Sequence, residues 1–461
     1  MPSLVSATQL RLRFARALSR MYQQEVPQYA VLQRLVDQVN TQNRATLPLT
    51  DIPRHGAVRL ASTAELHMAA RFFNILGMKA VGHYNLSATH LPIHATAFRP
   101  VTQAGLSAAP FRLFTSVLRT ELLSPALQPL AESLLAQRSP VFSQRTVELV
   151  EAAESQGGLT ASESEEFIQG GCETLAWRNQ VSITRHEYDT LKADSNGDLL
   201  VDIMAFRNPH LNHLTPATVA IDDVQQRMPG VGLVPKDRIE GPPERKCNIL
   251  LRQTSFLAVD EGILFSEIDG NELKGSHCAR FGEVEQRGAA LTLKGRKIYD
   301  EMITKVNRLG LLQAGKESEY KTVFDNAFPD DWEALRAEGL IWAEYSLTEK
   351  GQTLATSGKP REAVAAPRTL QQAISHGLVS WAPIQYEDFL PLSAAGIFQS
   401  NLHQDPSSIK EVTDTENATA ESKRQLQQVL GGEGMLDEME LYRAQEMRSI
   451  EEVCAALDLT E

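Results

Sequence analysis

Apolar positions at the start of the chain recur at helical spacing. Leu10, Phe14, Leu18 and Met21 form one stripe, Tyr29, Leu32, Leu35, Val36 and Val39 form another, and Pro27 stands between them as a break. This spacing predicts two helices over residues 7–42. The period then changes. Residues 54–60 carry no helical stripe and read as a strand, and the capping box Ser62-Thr63-Ala64-Glu65 opens a helix that ends near Gly77. Short β-like runs follow around 80–86, 93–101 and 111–117.

A helical stretch from about 120 to 195 interrupts this order, with Leu122, Leu127, Leu130, Leu134 and Leu135 as its expected packing stripe and Gly157-Gly158 as a turn. The order then starts again. Residues 213–221 read as a strand, 222–228 as a short helix, and 248–256, 262–267 and 279–287 as three more strands. The predicted class is α+β: two βαβββ modules forming a half-open barrel around a metal, with helical N-terminal, inserted and C-terminal segments. The expected divisions are an N-terminal helical segment (1–50), a first half of the barrel (51–120), a helical insertion (121–195) and a second half with metal ligands (196–310). A mixed segment closing the active site (311–405) and a C-terminal helical tail (406–461) complete them. Residues 360–367 are the clearest linker-like stretch.

Composition narrows the function without naming it. Lys and Arg number 45 against 58 Asp and Glu, a formal net charge of −13, so the electrostatic footprint of a nucleic-acid or anionic-membrane surface is missing. The four cysteines, Cys172, Cys247, Cys278 and Cys454, form no CxxC pair, which fits a reducing cytoplasm. No apolar run is long enough for a transmembrane helix. Arg11, Arg13, Arg16 and Arg20 with no acid before Glu25 resemble a mitochondrial presequence, whereas the apolar stripe among them reads as a packed amphipathic helix.

Metal chemistry is suggested by three segments that place donors on predicted strands: Arg54-His55-Gly56-Ala57-Val58-Arg59, Asn212-His213-Leu214-Thr215-Pro216 and Phe281-Gly282-Glu283-Val284-Glu285-Gln286-Arg287. Two imidazoles and a carboxylate make a facial triad for Fe(II) that leaves coordination positions open. Eleven histidines in the chain allow many accidental triples, so residue type alone does not choose among them.

These segments, with His-Gly-Ala-Val-Arg at 55–59, Gly-Met-Lys-Ala-Val-Gly-His-Tyr-Asn-Leu-Ser at 77–87 and His-Ala-Thr-Ala-Phe-Arg-Pro at 94–100, resemble the 2-oxoadipate dioxygenase/decarboxylase family. The likeness continues through Leu-Leu-Arg-Gln-Thr-Ser-Phe at 250–256, Ala-Arg-Phe-Gly-Glu-Val-Glu-Gln-Arg-Gly at 279–288 and the run from Tyr386 to Leu402. That family is in turn similar to the vicinal oxygen chelate enzymes, and the strand bearing Glu283 looks like the carboxylate strand of hydroxyphenylpyruvate dioxygenases. The resemblance implies Fe(2+) on His55, His213 and Glu283, the glutamate standing three places before Gln286, with Glu285 supporting from the same strand face. It also implies substrate contacts at Arg59, Leu392 and Ser393.

The implied reaction takes a 2-oxo diacid and O2 as partners and converts 2-oxoadipate to D-2-hydroxyglutarate and CO2, a step of lysine breakdown. An oxygen-independent metal-dependent isomerase or lyase is the rival enzyme class, and a ligand-binding regulator the rival outside enzymes.

His67 and Arg71 repeat the His-x-x-x-Arg spacing of His55 and Arg59, but on a helix such residues are close neighbours of a polar stripe. On a strand they lie about 13 Å apart, far enough for one to hold iron while the other holds the far end of a diacid. A guanidinium suits that end because it makes two parallel charge-assisted bonds to a carboxylate. His210 competes with His213, which the Asn-His-Leu-Thr-Pro match favours. Arg252, Arg280 and Gln286 are either pocket-lining groups or ordinary sheet hydrogen-bonders. Ala217 and Ala220 stand where the family commonly carries Arg and Asp, a departure that bears on the substrate pocket or local stability.

Overall fold

The computed structural model describes residues 3–44, 52–87, 91–266, 272–313, 315–356, 367–390, 416–431 and 434–459. The chain divides into two compact units: residues 1–240, 252–286 and 388–436 in one, and 241–251, 287–387 and 437–461 in the other.

In the first unit the N-terminal helices form where the apolar spacing puts them, α1 over Ala7–Glu25 and α2 over Pro27–Gln42. Pro27 sits in the first turn of α2, where the missing N–H has no intrahelical partner to lose. Leu10, Phe14 and Leu18 are buried, and Tyr22 completes the stripe in place of the half-buried Met21. Arg11 is buried with them because its guanidinium replaces water with backbone. It donates to the carbonyls of Ala109 (2.8 Å), Leu76 (2.6 Å) and Gly105 (3.0 Å). Burial lowers this guanidinium to about 10. The arginine-rich start of the chain is thus a packed amphipathic helix.

Strand β1 (His55–Leu60) leads into α3 (Thr63–Ile75), which Ser62 caps, and then into β2 (Lys79–Asn85), β3 (Ile93–Arg99) and β4 (Arg112–Leu118). After the short β5 (Gln180–Val181), the same succession returns as β6 (Leu211–Thr215), the helix Ile221–Arg227, β7 (Leu251–Ser255), β8 (Val259–Ser266) and β9 (Glu272–Arg287). All nine strands join in one mixed sheet of order β2-β3-β4-β1-β6-β9-β8-β5, with β7 pairing β9 off that path. β1 pairs in parallel with β4 and antiparallel with β6, and β6 pairs in parallel with β9. The centre of the sheet is therefore β1-β6-β9. An apolar core built from α1, α2, α3 and the sheet carries a stacked pair, Phe72 on Phe167, at 4.1 Å.

One detail departs from the sequence reading, and a second bears on the Ala220 position. Between residues 120 and 137 the buried side chains are Leu123, Leu127 and Ala131, while Leu122 is 42% exposed. Leu127 is buried and Leu130, Leu134 and Leu135 are half-buried as expected, but Leu122 drops off the stripe because Thr120–Leu122 is a tight 3-10 turn and the helix proper starts only at Gln128. Ala220 starts the helix Ile221–Arg227 without a side-chain cap, and Gln286 Oε1 accepts from the Ile221 amide instead at 3.4 Å. The linker-like stretch at 360–366 lies outside the described residues.

The second unit holds β10 (Ala343–Leu347) and β11 (Val379–Pro383), an antiparallel ribbon with the helix Glu438–Leu457 against it. Its core includes Leu378, Val379, Val453 and Leu457. Arg245 is held there by the Phe324 and Phe328 rings, 5.0 and 5.7 Å from its guanidinium carbon. No helix among the described residues is long and apolar enough to cross a membrane.

Arg11→Leu would leave the buried carbonyls of Leu76 and Ala109 unpaired, while that of Gly105 keeps the Ala109 amide, and the expected loss is about 2–4 kcal/mol, read as a lower denaturant midpoint at unchanged slope. A second prediction concerns His94. Its Nδ1 shares the buried Ser422 hydroxyl with His83 Nε2, each at 3.0 Å, and burial, aided by Arg119 and His83, pushes it down to about 3. The folded imidazole stays neutral where the unfolded one, near 6.5, takes up a proton. The stabilising contribution is full above pH 6.5 and falls with pH toward 3, by up to about 1.4 kcal/mol per unit. Urea titrations of His94→Gln should give a flatter dependence of stability on pH over that window, and an unchanged slope would count against it.

Candidate metal centre

The register of the three central strands assembles the site. His55 opens β1 and pairs with Thr215 of β6, and His213 pairs with Phe281 of β9, two residues before Glu283. Side chains alternate along a strand, so His213 and Thr215 share one face of β6, and Glu283 and Glu285 share one face of β9. Gly56 lets β1 and β6 approach: a Cβ there would lie 2.8 Å from Leu214 Cδ2 and 3.1 Å from the His213 carbonyl oxygen.

One ligand atom each from His55, His213 and Glu283 lies within 4.8 Å of the others, and all three residues are buried. His55 Nε2 is 2.8 Å and His213 Nε2 3.9 Å from Glu283 Oε1. The same carboxylate oxygen accepts from Gln253 Nε2 (2.6 Å) and Thr215 Oγ1 (3.2 Å). On its other side His55 Nδ1 meets Glu285 Oε2 at 2.6 Å, which fixes the ring and leaves Nε2 toward the centre. Glu285 is balanced by Arg54 and Arg112, 3.9 and 3.7 Å from its Oε1. Aromatic rings close the walls: Phe389 stands edge-on to His55 at 4.9 Å and Phe281 stacks on His213 at 4.9 Å.

The donor set fits a divalent metal. His213 Nε2 is buried without a hydrogen-bond partner, an arrangement that a protein normally avoids unless the lone pair has another use. Burial lowers His213 to about 3, so its imidazole is neutral and able to ligate. Burial alone would raise Glu283, but its imidazole neighbours and Lys236 outweigh that and hold it below the ordinary range, as a carboxylate.

The remaining sequence candidates fall elsewhere. Arg59 is buried and forms an ion pair with Asp202. It still lies close enough to His213 to contribute to the lowering of that imidazole. His210, just before β6, bonds through Nε2 to Asp202 Oδ1 at 3.0 Å. His67 stands on α3 against the Val429 carbonyl, and Arg71 forms a two-bond pair with Glu154. Arg252 is paired with Asp222, Arg280 with Glu261 and Glu25, and Gln286 donates to the Val219 carbonyl, so all three serve the sheet and its edges. Leu392 and Ser393 lie outside the described residues.

Sequence reasoning missed Gln253, Thr215 and Phe389. Gln253 was within reach, because Arg252 and Gln253 are adjacent on β7 and point to opposite faces; nothing local says which face meets His55, His213 and Glu283. A second buried group, Asp202, His210 and His277, also brings three donor atoms within 4.8 Å. Among these His277 carries no motif at all.

The whole chain has relatives. It matches the 2-oxoadipate dioxygenase/decarboxylase family over residues 14–401. A 2-oxoadipate dioxygenase/decarboxylase of Pseudomonas putida is 41% identical over 99% of this chain and 98% of its own length, and one of Escherichia coli is 40% identical over 97% and 98%. The crystal structure of the hydroxyglutarate synthase from Pseudomonas putida in complex with 2-oxoadipate superposes with a TM-score of 0.85 at 40% identity, covering 100% of both chains. With matches of this length and identity, the chain belongs to the 2-oxoadipate dioxygenase/decarboxylase family.

Proposed function

We propose that this protein converts 2-oxoadipate and O2 to D-2-hydroxyglutarate and CO2, using Fe(II) held by His55, His213 and Glu283. The observation that carries the reading is the meeting of these three buried donors from three different strands, with one imidazole nitrogen lacking any hydrogen-bond partner. The two-module, half-open barrel of the vicinal oxygen chelate type is part of the same proposal, supported by the repeated strand–helix–three-strand order around β1-β6-β9.

When bound, the ferrous ion supplies the sites at which a 2-oxo acid and O2 are brought together and activated. The chain supplies orientation. Glu285 and Gln253 set the angles of His55 and Glu283, and the Phe389 and Phe281 rings keep water from the centre. Arg59 is the group proposed to clamp the distal carboxylate, which places the methylene next to the keto carbon for hydroxylation. Leu392 and Ser393 are proposed as further substrate contacts. The balance closes: six carbons enter, five leave in the hydroxy diacid and one in CO2, and both oxygen atoms of O2 are consumed.

His55→Ala, His213→Ala and Glu283→Ala are each expected to lose stoichiometric iron and turnover. Full activity in Glu283→Ala would refute the assignment. Glu285→Gln should keep the site but bind iron about 10–100-fold more weakly, measured by chelator competition. Turnover under 18O2 should place one label in the new carboxylate and one in the hydroxyl; product formed without oxygen would point to an isomerase or lyase.

A further inference from the structure

Asp202, on the helix Gly197–Met204, is buried, and its two oxygens receive four donors. Oδ2 takes Arg59 and Asn212 Nδ2, the latter at 2.9 Å; Oδ1 takes His210 Nε2 at 3.0 Å and His277 Nε2 at 2.9 Å. Because the carboxylate can only accept, both histidines present N–H at Nε2. Trp177 lies parallel to the His277 ring at 6.0 Å and edge-on to His210 at 4.7 Å, and Phe206 is 5.0 Å from His277, so the network is walled from water. Its members share strands with the metal donors. Arg59 is on β1 with His55, and Asn212 is next to His213 on β6.

A second metal at this spot is disfavoured by the same contacts. Both imidazole Nε2 atoms spend their hydrogens on Asp202, and a cation would have to share Oδ2 with a guanidinium. A different use follows from the charge distribution. A buried arginine needs a counter-ion, yet a carboxylate devoted to it alone would saturate the cation that the substrate has to find. Here one carboxylate is divided among four donors, so it anchors Arg59 while neutralising only part of its charge.

We propose that Asp202 is a positioning residue that sets the preference for dicarboxylates, by holding the Arg59 guanidinium where the distal carboxylate of the substrate arrives. This rests on the proposed role of Arg59. His210, His277 and Asn212 act one step further out, fixing Asp202.

The test compares the iron-loaded wild type, Asp202→Asn, Arg59→Ala and the double variant on 2-oxoadipate and on 2-oxohexanoate, a monoacid of the same chain length, with iron content measured for each. The readout is the ratio of kcat/KM for diacid over monoacid. The wild type should favour the diacid and Arg59→Ala should collapse the ratio. Asp202→Asn should lower it by about tenfold or more, chiefly through KM, and in the Arg59→Ala background should change it by less than about twofold. A ratio retained in Asp202→Asn, or an equal fall in both backgrounds as a merely structural role would give, overturns the inference alone. A wild type indifferent to the second carboxylate, or Arg59→Ala keeping the preference, overturns the Arg59 assignment and the inference together. Should Asp202→Asn fail to fold, the double variant, which buries no unpaired charge, is the deciding protein. Its ratio should equal that of Arg59→Ala, and a further drop counts against the role.

Discussion

Three neighbouring strands, β1, β6 and β9, carry the constraint on which the rest depends, because their pairing registers hold His55, Thr215 and Glu283 along one line across the sheet. Adjacent strands are ~4.8 Å apart, so His55 and Glu283 stand roughly two strand spacings from each other and their side chains lean over the smaller Thr215 to meet. A slip of one residue in either pairing would turn one of these side chains to the opposite face of the sheet. The close approach at Gly56 and the packing of Phe281 on His213 make such a slip sterically expensive.

Burying this much charge would be unfavourable without a matching arrangement of partners. Glu285 has Arg54 and Arg112 close by and spends its other oxygen on His55, and Asp202 has four donors. Glu283 receives Gln253 and Thr215, yet it also faces two imidazoles, one with an unpartnered nitrogen. The asymmetry is informative. Carboxylates with a supporting task are electrically satisfied within the protein, whereas the one on which the imidazoles converge belongs to a group of donors able to hold a metal ion.

Arg59 shows how much of a residue's setting lies beyond its own stretch of sequence. Its strand was legible from the absence of a helical stripe in residues 54–60, but its ion pair with Asp202 was not, since the partner comes from a helix 143 residues further along the chain. The same holds for Gln253 and Phe389, which reach the centre from β7 and from the segment after residue 387. Glu285, by contrast, could be placed beside Glu283 from the period of two alone.

What the sequence by itself determined was local and periodic: two N-terminal helices broken at Pro27, a capped helix after β1, the repeated strand–helix–strand order, and the donor types carried on strands. These follow from spacing, capping and turn chemistry within a few residues. Leu122 alone fell off the predicted stripe, since a single 3-10 turn precedes the helix that carries the rest. The family resemblance singled out His55, His213 and Glu283, but spacing and periodicity did not, and only the tertiary structure shows the three meeting. His210 and His213 are three residues apart in sequence and serve two different buried networks. Inter-strand register carries out that division, and register is not encoded in the spacing of residues within one strand.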